Sequence, residues 1–251
     1  MAVPAPAVAK ALSPQIRLVS LVENGTHVLF GTRMGGYHES GIALSQKEVG
    51  QLKEGMRSLA DRNLFSYSMW KRSQATGADL LWRVKKKLKL PRIKRIRDGS
   101  YLSKIYASDK DRRHDRDGIE FRVIEYTLEG VSEAEPVYRL ITTILNPQEA
   151  PAKQLAALYH DRWEIETAFD EFKTHLRGQN IVLRSKRPDL VIQEFSGFMM
   201  APFAIRGIMH EAALKADIDP DRLSFVHSVR VIRRKLPRFA AIPPGGKGSV
   251  S

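Results

Sequence analysis

The stretch from Lys153 to Arg177 constrains the fold of this chain more than any other. Wound at about 100° per residue, its apolar residues Leu158, Ile165, Ala168, Phe169, Phe172 and Leu176 fall in one sector. The spacing predicts a long amphipathic helix that must bury one face against a neighbouring layer. The stretch before it, 78 to 145, is of a different kind: LLWRV, YLSKIYA, FRVIEYTL and VYRLITTIL are β-rich runs separated by charged or glycine-containing turns. These runs predict a separate all-β layer, and the two patterns together make the chain α/β.

The same helix carries a polar stripe. With Tyr159 as origin, Arg162, Glu166, Lys173 and Arg177 share one sector beside the apolar face instead of opposite it, as at the edge of a cleft. Taken singly, Arg162 and Glu166 are an i,i+4 pair on a solvated face, worth about 0.2 to 0.5 kcal/mol. The full spacing, Tyr-x2-Arg-x3-Glu-x6-Lys, is harder to account for in that way. Trp163 falls on the cleft side, placed either to stack on a base or ribose or to pack on the adjoining layer.

Elsewhere, residues 1 to 14 hold three prolines and mostly alanine, which predicts a disordered lead-in. RLVSLVE and HVLFG flank Asn24-Gly25, the signature of a hairpin turn between antiparallel strands. Ser45 and Glu48 have capping-box spacing for a short helix that Gly55 would close, and Met56 to Ala60 reads as a short buried strand ending at Asp61. Further helices are expected over about 66–77 and 188–216, the latter kinked or broken at Pro202, with a strand-like IVLRS between. Trp70 and Trp82 lie in apolar contexts and read as core, and His160 as surface. Residues 239 to 251 read as a frayed tail.

The chain has no cysteine, which excludes disulfide scaffolds, thiolate metal sites and thiol nucleophiles. Lys and Arg number 41 against 28 Asp and Glu, a net +13 with a pI near 10.0, which favours a polyanionic partner such as nucleic acid. Nine basic residues and no acid fall in 83–97, with Lys85, Lys86, Lys87, Lys89, Arg92, Lys94 and Arg95 as candidate phosphate contacts; five more, Arg233 and Arg234 among them, fall in 228–238. No apolar run approaches the ~20 residues that span a bilayer. A carboxylate at a strand end, Asp61, and another on a packed helix, Glu166, suit a pair of Mg²⁺ or Mn²⁺ ions about 3.5 to 4 Å apart, the arrangement of phosphodiester chemistry.

LADRNLFSY at 59 to 67 and YHDRWEIETAFDEFKTHLRG at 159 to 178, with GADLLWRVK at 77 to 85 and DPDRLSF at 219 to 225, resemble the DDE transposases of bacterial insertion sequences, in particular the group with the Tyr-Arg-Glu-Lys helix signature. The similarity runs from about residue 15 to 238. It implies a ribonuclease-H-like core in two parts, 15–77 and 148–238, around a β-rich insertion at 78–147. By position, Asp61 resembles the second metal-binding Asp and Glu166 the catalytic Glu, while Tyr159, Arg162 and Lys173 resemble the residues that contact transposon-end DNA. It also implies double-stranded DNA as partner, assembly as a homodimer on two ends, and a cytoplasmic, nucleoid-associated protein.

One departure accompanies the match. The family's first catalytic Asp lies on a strand immediately before the one RLVSLVE resembles, and this sequence has no acid before Glu23, itself a poor replacement. An N-terminally truncated copy with open strand edges is the expectation, with DNA cleavage impaired. The rival class is a non-catalytic DNA-binding remnant or inhibitor of a full-length transposase. A basic RNA-binding protein accounts for the charge but not for the stripe.

Overall fold

The computed structural model describes residues 16–128, 135–160, 162, 185 and 187–239. They fall into two compact units, one built from the described residues of 1–21 and 31–163, the other from those of 22–30 and 164–251.

Strands β1 (Ile16–Val22) and β2 (Leu29–Gly36) form a two-stranded sheet, of which residues 16–21 and 31–36 belong to the first unit. The connection is not the two-residue Asn24-Gly25 turn that the dipeptide suggested. It spans six residues, closed by the Glu23 amide on the Val28 carbonyl at 2.9 Å, and the left-handed position is taken by His27 at φ 55°. Helix α1 (Gly41–Glu48) begins five residues earlier than the capping-box spacing implied, with Ser40 at the N-cap position. Ser45 is therefore interior, its hydroxyl donating to the Gly41 carbonyl at 2.8 Å in place of capping.

Strand β3 (Arg57–Ala60) leads into helix α2 (Tyr67–Gln74), which Ser66 does cap by accepting from the Met69 amide at 3.2 Å. Gly77 at φ 80° then turns the chain into β4 (Asp79–Arg83). After β5 (Lys94–Arg95) and β6 (Tyr101–Ile105) come the short helix α3 (Asp109–Arg113) and strands β7 (Ile119–Tyr126) and β8 (Tyr138–Thr142). The expected separate β layer is corrected here: these strands join β3 in one six-stranded sheet, ordered β3-β4-β8-β7-β6-β5, parallel between β3 and β4 and antiparallel elsewhere. Among the described residues β3 is an edge strand.

Both faces of this sheet are covered, which is why β4 reads as an unbroken apolar run. On one face Leu80 and Trp82 pack with Met69 and Trp70 of α2 and with Phe121; the Trp70 and Trp82 rings meet edge to face at 5.4 Å, both in the core as expected. On the other, Leu81, Ile124 and Leu140 pack with Leu155 and Tyr159 of α4 (Ala152–His160). The start of α4 is tied to the sheet by a polar knot. Arg122, fully buried on β7, reaches the Ser100 hydroxyl at 2.8 Å, the Ala150 carbonyl at 2.7 Å and the Asp98 carboxylate, which also accepts from the Ala152 amide at 3.0 Å.

The second unit is built on α5 (Pro188–Ala216) and α6 (Phe225–Phe239). Helix α5 passes through Pro202 as one element, so of the two expected outcomes, a kink or a break, the break does not occur. Ile205 and Met209 pack against Phe225 and Val229 in its core.

Candidate active site and nucleic-acid surface

Parallel pairing places Ala60 opposite Trp82, so Asp61, the first residue past β3, lies at the same end of the sheet as Arg83, the last residue of β4. The Arg83 Nη1 lies 4.0 Å from the Asp61 Oδ1, and its Nη2 lies 2.7 Å from the Glu135 Oε2. Arg62 donates to the other Glu135 oxygen at 2.6 Å. The Arg83 guanidinium rests 4.7 Å over the Tyr138 ring, and Tyr138 stacks on Tyr126 at 5.3 Å.

Helix α4 approaches this strand end from the sheet face that carries Leu81. Tyr159, 4% exposed, donates its hydroxyl to the Ala60 carbonyl at 3.2 Å, and the Arg162 guanidinium lies 5.7 Å from the Tyr159 ring. His160 is not the surface residue expected: its ring packs edge-on to Tyr126 at 5.8 Å and its Nε2 is buried.

Burial dominates the electrostatics of the tyrosines, pushing the Tyr126 hydroxyl up to about 12 and the Tyr159 hydroxyl higher still, so both stay protonated. Burial also raises Glu135, but the hydrogen bond and charge of Arg83, with Arg62, outweigh it and hold the carboxyl below the usual range. For Arg83, burial opposes the charge, and Glu135, Tyr159 and Asp61 more than restore it. Glu135 is thus an anion held by two cations.

Glu166, Trp163, Lys173 and Arg177 lie outside the described residues. Of the early acids, Glu23 is taken up by its own turn, accepting from the Gly25 amide at 3.2 Å and the Thr26 amide at 2.6 Å. Among the described residues no three His, Cys, Asp or Glu side chains gather where a cation could sit. Asp61 faces the Arg83 guanidinium there.

The basic tract 83–97 divides in two. Arg83 is drawn into the Asp61 cluster at 13% exposure, whereas Lys85, Lys86, Lys87, Lys89, Lys94 and Arg95 are exposed and, among the described residues, hold no acidic partner. Arg92 is exposed but paired with Glu125 at 3.1 Å over the Tyr101 ring. On α6, Arg233 and Arg234 are exposed. No helix among the described residues is long and apolar enough to cross a membrane.

Arg62, Arg83, Glu135, Tyr126 and Tyr138 were not singled out as site residues by the sequence. Arg83 was within reach, since two parallel strands ending in LAD and LLWR bring its position beside Asp61; Glu135 carries no local signal.

Residues 43–191, more than half of the chain, match the family model described as the transposase DDE domain. The chain belongs to the DDE transposase domain family. A relative of this transposase domain is the transposase InsG for insertion sequence element IS4 of Escherichia coli (strain K12), 28% identical over 239 residues. That alignment takes in 94% of the chain and 53% of InsG, so the chain spans about half the length of its curated relative. Among solved structures, it is similar to a chain in the cryo-EM structure of a piggyBac transposase synaptic complex with hairpin DNA, at TM-score 0.53 and 13% identity, over 92% of this chain and 49% of that one. The fold is α/β with a mixed sheet, of the ribonuclease-H-like kind.

Proposed function

We propose that this transposase domain acts on the ends of an insertion sequence, with Asp61 and Glu166 as the carboxylates of a DNA cleavage and strand-transfer centre. The observation that carries the reading is the position of Asp61, just past the end of β3, beside Arg62 and Arg83, with Tyr159 bonded to the carbonyl of the preceding Ala60. A divalent cation, Mg²⁺ or Mn²⁺, would supply Lewis acidity between the two carboxylates. The chain's own residues bind and orient the duplex. Lys85 to Lys89, Lys94 and Arg95 track one stretch of backbone, Arg233 and Arg234 offer a second, and Arg162, Lys173, Trp163 and Arg177 grip the end next to the carboxylates. Such contacts fix the phosphate without reading sequence. Tyr159 serves by holding the strand end that presents Asp61, and two copies meet on paired ends, at the nucleoid.

A second reading is a DNA-binding remnant or inhibitor with little cleavage of its own. It is favoured by the engagement of Glu23 in its own turn. The test is supercoiled-plasmid nicking by the 251-residue chain in Mg²⁺ and Mn²⁺, beside duplex binding by the same preparation. Binding unchanged by Asp61→Asn and Glu166→Gln, with no nicking, supports the second reading. Nicking lost in Glu166→Gln establishes the first.

A further inference from the structure

Arg62 and Arg83 have no part in the DNA contacts described above, yet they form the most ordered charge arrangement beside Asp61. Their nitrogens meet the two oxygens of the Glu135 carboxylate at 2.6 and 2.7 Å, one guanidinium on each oxygen. Two guanidiniums converging on two oxygens of a single anion is the arrangement that recognises the non-bridging oxygens of a phosphate. The partners differ in freedom. The Arg83 side chain is 13% exposed and pinned over Tyr138, whereas Arg62 and Glu135 are 42% and 39% exposed. Glu135 can therefore swing out to solvent while Arg83 stays in place.

We propose that Arg62 and Arg83 form a phosphodiester-binding site beside Asp61, which the Glu135 carboxylate fills until a DNA backbone phosphate displaces it. Glu135 is then an internal substitute for the ligand, and it lowers affinity for any phosphate that does not compete well. The site rests on the proposed action on DNA and adds to it the cradle and its competitor.

The test compares the full chain with Glu135→Gln by fluorescence anisotropy on a duplex oligonucleotide, and by calorimetric titration with inorganic phosphate. Glu135→Gln is expected to bind duplex about 2- to 30-fold more tightly, the scale of two partly exposed ion pairs no longer opposing the ligand. The double variant Arg62→Gln/Glu135→Gln is expected to lose that gain. Unchanged or weaker duplex binding by a Glu135→Gln chain with wild-type circular dichroism and melting overturns the proposal. So does a gain that survives in the double variant, whose net charge equals that of the wild type, since Arg62 then takes no part in it. Tighter inorganic phosphate with no gain on duplex overturns the assignment to DNA backbone and leaves free phosphate as the ligand. If neither chain binds duplex at all, the action on DNA fails, while the phosphate titration still reports whether the cradle exists.

Discussion

Tyr159 donates its hydroxyl to the Ala60 carbonyl across 99 residues of sequence, so α4 is fastened to the residue immediately before Asp61. Burial pushes that hydroxyl above the usual tyrosine range, so it is protonated and able to donate at neutral pH. Tyr159→Phe keeps the ring and removes only the donor. It is expected to lower stability by about 1 kcal/mol, read as a shift in the urea midpoint at constant slope. If Tyr159 instead serves mainly as a DNA contact, the midpoint will stay put and the affinity for duplex will fall.

The Asp98–Arg122 knot makes folding sensitive to acid. Burial raises the Asp98 carboxyl, but hydrogen bonds from Ser100 and the Ala152 amide, with the Arg122 charge, bring it below the usual aspartate range. A folded-state value below the unfolded one contributes stability above about pH 4 that is lost as pH falls through the folded value. Asp98→Asn leaves Arg122, fully buried, without its counter-charge, and is expected to cost about 3 kcal/mol at pH 7. The difference between wild type and variant should shrink towards pH 3 in parallel urea titrations. An equal gap at pH 7 and pH 3 would show that the charge is not what matters.

Elements set by local rules were legible in the amino-acid sequence. The helix expected over 188–216 is α5 at its observed bounds, and the helix expected from about Ser66 is α2, whose N-cap is a contact between near neighbours. What escaped depends on pairing between distant residues. Ser45 and Glu48 had the spacing of a capping box, but the chain had already turned helical at Gly41. The β-rich runs were visible, yet nothing local says that β4 lies between β3 and β8, and the separate layer became part of one sheet. At the candidate site, Asp61 and Arg162 are the residues that motif and spacing single out. Glu135, 52 positions from Arg83, was not, and neither was the role of Asp98 as a cap for a helix 54 residues away.

Trp70 contributes the largest fully buried side chain, with its ring edge-on to Trp82 at 5.4 Å and tilted against Phe121 at 5.8 Å. Trp70→Ala removes both contacts and leaves a cavity between α2 and the sheet, at a cost of about 3 to 5 kcal/mol. The near-ultraviolet circular dichroism, which this aromatic cluster dominates, should fall along with the melting temperature. Retention of both would mean that α2 repacks.

The exposed half of the basic tract gives a test of DNA binding that the fold does not confound. Lys85, Lys86, Lys87 and Lys89 are exposed and hold no acidic partner among the described residues, so replacing all four by Gln should leave the melting temperature within error. Each phosphate contact adds about 0.9 to the slope of log affinity against log salt, so the fourfold variant should be shallower by at most about 3.6. Arg92 is an internal comparison: it belongs to the same tract, but Glu125 and the Tyr101 ring already hold it. Arg92→Gln should therefore change the slope by less than any one of the four lysines. A slope that falls as much for Arg92 as for Lys86 would mean that duplex binding follows net charge alone, with no track along this part of the chain.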